Sequence, residues 1–507
     1  MSNKFVEVCI PLPVFKTFHY KIPSDLKGEV HPGSRILVEF KKQKVLGYVL
    51  SRLDTSPIQP TKPIIEIAST EPLFSPQMLE FFKWLSSYYV TPLGEVIKTA
   101  LPLLNSPVSK RRPSEVPPGL PSGASIQTLT TDQINILETL DHALLKNTFS
   151  PFLLHGVTGS GKTEVYIRII KKALVLGKKV IVIVPEISLT PQLIGRFEAH
   201  FPNKLAILHS KLTPGQRRLQ WTKIKNEEVD IAIGARSAIF APFKHIGIIV
   251  VDEEHDSSFK QEEKFRYHGR DVALVRGQLE NALVILGSAT PSIESYYHAY
   301  RGNRNRKYQL LQLPKRVLDR PLPSIECIDL KLSNSTFGQT FIFSSELLSA
   351  IEKTISLKEQ TLLFLNRRGF APFILCQECG FSYRCPHCSV ALTVYSQVQK
   401  LICHYCSHTI IIPKSCPDCH GTRLLSTGLG TEKVQSALQE LFPGVVIDRM
   451  DKTTTQKRDA LSGILSRFST ILFKFVITIV WILLFLALFG TKLLLMHLAS
   501  RIPRRRE

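Results

Sequence analysis

The chain has 507 residues, which predicts about three domains at roughly 150 residues each. Hydrophobic residues make up 44% of it and charged residues 21%. This composition supports sizeable cores and excludes an intrinsically disordered chain. No fixed period is visible, which excludes collagen-like and repeat architectures. The formal net charge of +22 predicts a polyanionic partner, either nucleic acid or a membrane surface.

Residues 1–100 are predicted to form a small β-rich unit that ends in a helix. Two β-rich runs at 35–40 and 45–50 are joined by Lys-Lys-Gln-Lys, which predicts a hairpin with a basic turn. Helical apolar spacing over 75–89, after a Ser cap, predicts a helix. Residues 101–125 are rich in Pro, Ser and Gly and are predicted to be a linker.

Residues 126–310 alternate between strands and helices. Apolar strands are predicted at 152–155, 180–184, 246–251 and 283–286, with helices between them. Strands without polar alternation, separated by helices, indicate an α/β fold with a parallel sheet covered on both faces. A second such pattern begins near Leu362. It is interrupted by a cysteine-rich block and resumes at Thr427.

A phosphate-binding loop follows the first of these strands. Residues 156–163 read GVTGSGKT, which fits G-x-x-x-x-G-K-[ST] between a strand and a helix. Backbone amides of such a loop surround a phosphate of ATP, Lys162 reaches the β- and γ-phosphates, and the Thr163 hydroxyl ligates Mg²⁺. The predicted residues are Gly156, Gly159, Ser160, Gly161, Lys162 and Thr163.

An acidic pair lies at the end of the strand over 246–251. Asp252 and Glu253 are placed where ligands bind in open parallel sheets. We predict that Asp252 holds magnesium and that Glu253 orients and deprotonates the attacking water. The alternative is a solvated acidic turn. Gln133, upstream of the first strand, is predicted to recognise the adenine edge through its amide; the alternative is an ordinary surface glutamine.

Eight of the ten cysteines form four Cys-x-x-Cys pairs within residues 376–419. Fourteen residues separate the second pair from the third, close to zinc-ribbon spacing, whereas only five separate the first from the second. We therefore expect two structural zinc ions in Cys₄ sites; disulfides are the alternative. The predicted sites are Cys376, Cys379, Cys416 and Cys419 for the first zinc, and Cys385, Cys388, Cys403 and Cys406 for the second.

These motifs together resemble superfamily 2 helicases and, more specifically, the PriA family of replication-restart helicases. The resemblance rests on DEEH (252–255), the run HDSSFKQEEKFRYHGRD (255–271), GARSA (234–238), FLNRRGF (364–370) and GLGTE (428–432). It implies a RecA-like P-loop lobe, an incomplete second lobe carrying the two-zinc insertion, and a β-rich DNA-binding domain before them. It also implies ATP-dependent 3′→5′ DNA unwinding, replication restart and loading of the replicative helicase.

The resemblance also implies DNA contacts and partners. Aromatic side chains after the acidic motif would stack on bases, although a packed aromatic cluster is the alternative. Expected partners are branched and single-stranded DNA, primosome proteins, the helicase loader and single-strand-binding protein. A cytoplasmic location is expected on other grounds, because residues 1–15 lack the pattern of a secretory signal and the paired cysteines suit metal binding in a reducing compartment. A winged-helix domain is expected to be missing or abridged. The DNA-binding residues implied are Phe18, Gly33, Lys62, Arg236, Phe265, Arg266 and Tyr267.

The resemblance stops near residue 467. We predict an incomplete second lobe over 311–375 and 420–467, a zinc insertion over 376–419, and a hydrophobic tail over 468–507 that departs from the family. Residues 475–491 carry no charge, which indicates either a tail anchor at the lower limit of membrane-spanning length or a reading-frame shift near residue 468. The frame shift is favoured, so membrane contact is not expected.

Because an arginine-bearing helicase motif is absent from this region, we expect the chain to bind DNA and zinc but to hydrolyse ATP poorly. Two rival functions follow from the same features. One is a catalytically impaired zinc-containing DNA-binding remnant, and the other is a membrane-tethered ATPase.

Overall fold

The computed structural model resolves the chain into two units, residues 1–320 and residues 321–507. The residues that the structure describes are 4–56, 61–69, 71–101, 128–185, 191–210, 212–263, 265–300, 302, 306–317, 325–328, 343–357, 359–365, 373–376, 378–395, 400–403, 406–427, 431–450, 454, 463–464, 474–478 and 492–496. The predicted linker and the place of the winged helix lie almost entirely outside them.

The first unit begins with a five-stranded antiparallel sheet of order β2-β1-β4-β3-β5. Its strands are β1 (Phe5–Cys9), β2 (Phe18–Lys21), β3 (Arg35–Phe40), β4 (Gln43–Leu53) and β5 (Ile64–Ser69). Strands β3 and β4 form the expected hairpin. Its turn is only Lys41 and Lys42, both at positive φ, a geometry that matches the twist of the flanking strands.

Two helices connect this sheet to the rest of the unit, α1 (Pro76–Tyr88) and α2 (Leu93–Ala100). Ser75 caps α1 through its side chain, which accepts from the amide of Met78, as the Ser-Pro start predicts. The Phe81 ring lies 6.2 Å from that of Phe240, and the Arg276 guanidinium lies over Phe81. Helix α1 therefore shares a core with the following lobe.

Over its described residues the lobe has seven strands and six α-helices. The strands are β6 (Ser150–Gly156), β7 (Lys179–Ile183), β8 (Leu205–Leu208), β9 (Ile231–Gly234), β10 (Ile246–Asp252), β11 (Leu283–Ser288) and β12 (Gln309–Leu313). The helices are α3 (Thr131–Lys146), α4 (Lys162–Val175), α5 (Pro191–His200), α6 (Pro214–Lys225), α7 (Gly269–Leu279) and α8 (Ile293–Ala299).

The seven strands form one parallel sheet of order β12-β6-β11-β10-β7-β9-β8. Apolar clusters cover both faces, as expected for strands without polar alternation. Strand β11 lies between β6 and β10, which brings the ends of β6 and β10 to the same edge. Strand β12 pairs with β6, so the lobe extends beyond the predicted boundary at residue 310.

The second unit contains a parallel sheet of order β19-β20-β13-β21 and two small antiparallel sheets, β14-β18 and β15-β16-β17. Its strands are β13 (Thr361–Leu365), β14 (Phe373–Cys376), β15 (Thr393–Tyr395), β16 (Lys400–Ile402), β17 (Thr409–Ile411), β18 (Leu424–Thr427), β19 (Val446–Met450), β20 (Lys474–Thr478) and β21 (Lys492–Met496). Its helices are α9 (Ser345–Ser356) and α10 (Thr431–Leu441).

The predicted hydrophobic tail contributes two of these strands. Strand β20 pairs in parallel with both β13 and β19, and β21 pairs with the other edge of β13. A short apolar run can form a buried parallel strand, or it can be part of a longer apolar segment. Hydropathy alone does not distinguish these two possibilities. Among the helices in the described ranges, none combines the length and apolar character needed to cross a membrane.

Candidate functional site

The phosphate-binding loop joins β6 to α4. Gly159 and Gly161 have φ of +82° and +85°, a left-handed backbone that glycine adopts without strain. The Lys162 ammonium donates to the carbonyl of Gly156 over 3.0 Å. The Ser160 hydroxyl is buried, and no hydrogen-bond partner for it lies among the described residues. The loop therefore presents a cationic group and an unused donor beside a helix N-terminus.

Asp252 and Glu253 lie across from this loop at the end of β10. The Lys162 ammonium is 4.0 Å from Oε1 of Glu253. Glu253 has φ of +49°, a conformation that is uncommon for a non-glycine residue and concentrates at functional sites. Its Oε2 is buried and accepts no hydrogen bond within the described part of the chain, so this oxygen is available to a water or substrate proton.

Burial and mutual repulsion tune the acidic pair. Burial raises the pKa of Glu253 to about 7, and the neighbouring Asp252 charge acts in the same direction. Burial also raises the pKa of Asp252, although the Lys162 charge and a hydrogen bond from Tyr166 oppose it. A carboxylate with a pKa near neutrality is suited to general base catalysis.

Tyr166 is a site residue that the sequence analysis missed. Its hydroxyl donates to Oδ1 of Asp252 over 2.9 Å. Burial and the Asp252 charge hold the pKa of Tyr166 well above its ordinary value, so the hydroxyl remains a donor. A Cβ at Gly287 on β11 would overlap this hydroxyl. The available signal was spacing, because Tyr166 follows Lys162 by one helical turn and faces the same side of α4.

Gln133 lies beside the loop, but its amide is used differently from the prediction. Its Oε1 accepts from the amide of Thr130 over 3.0 Å, in a capping box that begins α3. Its Nε2 donates to the carbonyl of Ser160 over 3.0 Å. In this conformation the buried amide fixes a helix start and the phosphate-binding loop. Recognition of adenine by Gln133 stays a prediction.

Glu254 and His255 connect the acidic pair to the next strand. The buried Glu254 carboxylate accepts from the amide of Ser292 at 2.7 Å, the Ser295 hydroxyl at 2.8 Å and Arg270 at 3.1 Å. The His255 Nδ1 lies 2.8 Å from the hydroxyl of Ser288. These bonds link the end of β10 to the end of β11 and to the start of α8.

The predicted DNA-stacking rings are buried. Phe265 is 0% exposed and Tyr267 is 2% exposed, and their rings stack at 5.0 Å. Tyr89 packs edge-on against Phe265. Neither ring offers a face to a base in this conformation. The structure thus shows the packed cluster that was the alternative, because these large apolar rings gain more from the core than from solvent. Arg266 is exposed.

Arg236 forms hydrogen bonds to residues 258–261, the segment that follows the acidic motif. Its NH1 donates to the carbonyl of Ser258 over 2.6 Å and to that of Lys260 over 3.3 Å. Its Nε donates to the side chain of Gln261 over 3.2 Å. The predicted contact with a DNA phosphate would compete with these bonds. Arg236 therefore acts in this state as a clamp on the segment that follows the acidic motif.

The three residues implied for the N-terminal domain lie on its sheet and its turns. Phe18 packs edge-on against Phe40 at 4.9 Å, and Lys62 pairs with Glu39 at 2.7 Å on the surface. Gly33 has φ of +89°, and a Cβ there would crowd the carbonyl of Phe74. Gly33 therefore has a structural reason to be glycine.

The eight paired cysteines form two clusters in the second unit. In each, all four sulfurs lie within 4.8 Å of one another. The groups are Cys376, Cys379, Cys416 and Cys419, and Cys385, Cys388, Cys403 and Cys406. The outer two pairs thus combine, as do the inner two. Four thiolates at this separation match the tetrahedral ligand set of structural zinc.

Three sequence families match the chain. Residues 7–102 match the 3′ DNA-binding domain of PriA, residues 130–298 match the DEAD/DEAH box helicases, and residues 385–410 match the Cys-rich region domain of the PriA DNA helicase. The helicase match includes the phosphate-binding loop and the acidic pair, so the chain has a nucleotide-binding helicase domain. The third match includes the inner cysteine cluster and supports zinc binding.

Curated relatives decide the family. The replication restart protein PriA of Haemophilus influenzae is 34% identical, over 91% of this chain and 72% of the relative. The chain belongs to the PriA family. PriA of Bacillus subtilis is 44% identical over 67% of this chain, and PriA of Chlamydia trachomatis serovar D is 32% identical over 92%. The aligned part spans 42% of the B. subtilis PriA and 72% of the C. trachomatis PriA.

Proposed function

We propose that the chain is an ATP-dependent 3′→5′ DNA helicase that acts in replication restart. The observation that carries the proposal is the approach of Lys162 to Glu253, at 4.0 Å, across the phosphate-binding loop. This arrangement places a cation for the β- and γ-phosphates beside a carboxylate whose buried Oε2 accepts no hydrogen bond from the described residues and lies 3.7 Å from the His255 Nδ1. Membership of the PriA family supports DNA as the second ligand.

The roles of the site residues follow from their positions. Backbone amides of 156–161 and the ammonium of Lys162 bind the phosphates. Glu253 Oε2 accepts a proton from the attacking water. The Thr163 hydroxyl and the Asp252 carboxylate would hold magnesium, which neutralises developing phosphate charge when bound. Oxygen donors of this kind suit that ion.

The finer parts of the proposal concern DNA form, partners and location. We infer that the substrates are branched and single-stranded DNA. We also infer that primosome proteins, the loader of the replicative helicase and single-strand-binding protein are partners in the cytoplasm. The net charge of +22 supports a polyanionic ligand. No observation on the described residues favours the membrane-tethered or catalytically impaired alternatives, so we propose an active helicase in place of the poor ATP hydrolysis that the missing arginine motif led us to expect.

ATP hydrolysis with and without forked DNA tests the proposal. DNA should stimulate hydrolysis by the parent, and Lys162→Ala should reduce the stimulated rate by about 100-fold, because a cation on the transferred phosphoryl group is lost. Lys171→Ala is the matched control, since Lys171 is exposed on the same helix. Equal rates for the parent and Lys162→Ala would refute the proposed activity.

A further inference from the structure

A cavity of about 410 Å³ separates α2 from the helicase lobe within the first unit. Lys98 and Thr99 line it from α2. Arg217 and Trp221 line it from α6, and Ser237, Gln261 and Phe265 are among the other lining residues. None of its lining residues belongs to the phosphate-binding loop or to the acidic pair. The volume lies within the range of roughly 300–1,000 Å³ typical of small-ligand sites.

Trp221 supplies the observation that points to a ligand. The side chain is only 6% exposed, and its indole N–H has no hydrogen-bond partner among the residues that the structure describes. A buried donor without an acceptor is unfavourable, and native proteins rarely retain one. An acceptor atom on a bound molecule would satisfy this donor.

The cavity also has the charge and the apolar surface of a nucleotide site. Lys98 and Arg217 contribute two positive charges against one negative charge from Glu95. Phe240 and Trp221 also line the cavity, and their side chains are 2% and 6% exposed. Aromatic groups beside cationic ones are the combination that binds a base and its phosphate in single-stranded DNA.

We propose that this cavity binds one nucleotide unit of single-stranded DNA. The base contacts Trp221, a base carbonyl or ring nitrogen accepts from its indole N–H, and the phosphate lies near Lys98 and Arg217. Helix α2 ends the segment that matches the 3′ DNA-binding domain, which favours a strand over a free nucleotide. The proposal rests on the DNA-binding part of the proposed function.

Bound DNA would also touch the loop that follows the acidic motif. Gln261 lines the cavity and accepts from Nε of Arg236. Ser237, the residue after Arg236, lines it as well. A nucleotide in the cavity would therefore lie beside Gln261, which accepts from Arg236, and beside Phe265, which also lines the cavity.

The first test measures the anisotropy of a short, 5′-labelled oligothymidylate. Trp221→Phe keeps an aromatic ring but removes the N–H, so affinity should fall by about 3- to 10-fold. Trp84→Phe is the matched control, because Trp84 stacks on Tyr88 and does not line the cavity. Unchanged affinity of Trp221→Phe, with binding by the parent intact, would overturn the cavity proposal. No binding by the parent would instead refute the DNA-binding function.

A second variant tests the charge. Lys98→Gln should weaken binding and reduce the slope of log affinity against log salt by about 0.7, the value for one phosphate contact on a single strand. Lys83→Gln is the control, since Lys83 is an exposed lysine of α1 paired with Glu80. An unchanged slope for Lys98→Gln would contradict the phosphate contact.

Tryptophan fluorescence distinguishes a DNA strand from a free nucleotide. In a chain carrying Trp84→Phe and Trp481→Phe, Trp221 is the remaining tryptophan. The oligothymidylate should quench it, and thymidine monophosphate at equal nucleotide concentration should not. Equal quenching by both would overturn the assignment to DNA. An unchanged melting temperature would show that the variants are folded.

Discussion

The Tyr166 hydroxyl donates a hydrogen bond to Oδ1 of Asp252, joining helix α4 to the end of strand β10 over 2.9 Å. Asp252 is the carboxylate proposed to hold magnesium, and its pKa is already raised by burial. The hydrogen bond stabilises the charged form of this carboxylate. Tyr166 therefore positions Asp252 and opposes the rise in its pKa that burial causes.

Tyr166→Phe should raise the magnesium concentration needed for half-maximal ATP hydrolysis by about 10-fold. The ring still fills its space, but the carboxylate loses a donor, its pKa rises, and protons compete better with the metal. A magnesium titration at fixed ATP measures the effect. Tyr300→Phe, at an exposed tyrosine, should leave the titration unchanged. An identical midpoint for Tyr166→Phe and the parent would contradict this role.

The rate of hydrolysis should rise with pH through about 7. Glu253 must be deprotonated to accept a proton, and its pKa is raised to about 7 by burial. Glu253→Gln should lower the rate by about 100-fold or more and remove this dependence. A rate profile from pH 5.5 to 8.5, about 1.5 units either side of that pKa, measures it. An acid limb near the ordinary glutamate value of 4.5 would contradict the assignment.

The raised pKa of Glu253 also affects the free energy of unfolding. Because the pKa of Glu253 is higher in the folded state than its unfolded value of 4.5, the folded state binds more protons between pH 4.5 and about 7. Its stability therefore falls as pH rises through that window. Glu253→Gln should raise the free energy of unfolding above pH 7 by on the order of 1 kcal/mol. Thermal unfolding of the parent and of Glu253→Gln at pH 5 and pH 8 checks the sign. The variant should melt above the parent at pH 8, and a variant that melts below the parent at pH 8 would refute the prediction.

Each cysteine cluster should bind one zinc ion independently. Cys385→Ser and Cys416→Ser each remove a ligand from a different cluster, so each variant should lose one of two zinc ions per chain. Elemental analysis measures the content. Cys327→Ser is the control, because Cys327 is exposed and belongs to neither cluster. Thiols that react with alkylating agents only after reduction would instead support disulfides.

Arg236→Ala should increase the mobility of the loop over 258–261, because in this structure Arg236 bonds to that loop. Losing the bonds to Ser258, Lys260 and Gln261 should accelerate amide hydrogen exchange there by about 5-fold. Arg266→Ala is the comparison, since Arg266 is exposed and its Nε donates to the carbonyl of Glu262. Unchanged exchange together with a shallower salt dependence of DNA binding would favour the phosphate contact inferred from sequence.

Local motifs were predictable, and long-range contacts were not. The phosphate-binding loop and the acidic pair each occupy a few consecutive residues with a fixed relation to a strand. The contact of Tyr166 with Asp252 depends on which strands become neighbours, which no local pattern contains. For Phe265 and Tyr267, an aromatic run is compatible with either base stacking or core packing. Only their burial, 0% and 2% exposed, separates these possibilities.

The short strands were harder to predict for another reason. Strands β8 and β9 have only four residues each, which is too short for a clear period. Strand β12 has an apolar–polar mixture that resembles an amphipathic surface segment. The cysteine pairing was accessible because ligand spacing restricts it, and the structure brings the same groups of four together.

The close fit between Gly287 and Tyr166 constrains how this site can evolve. A methyl group at position 287 would collide with the phenol oxygen, so Gly287→Ala in the present background should displace the tyrosine. Once the phenol is replaced by phenylalanine, the same alanine meets less obstruction. The two positions are thus expected to show positive epistasis: the alanine at position 287 should be less harmful after Tyr166 has been replaced by phenylalanine.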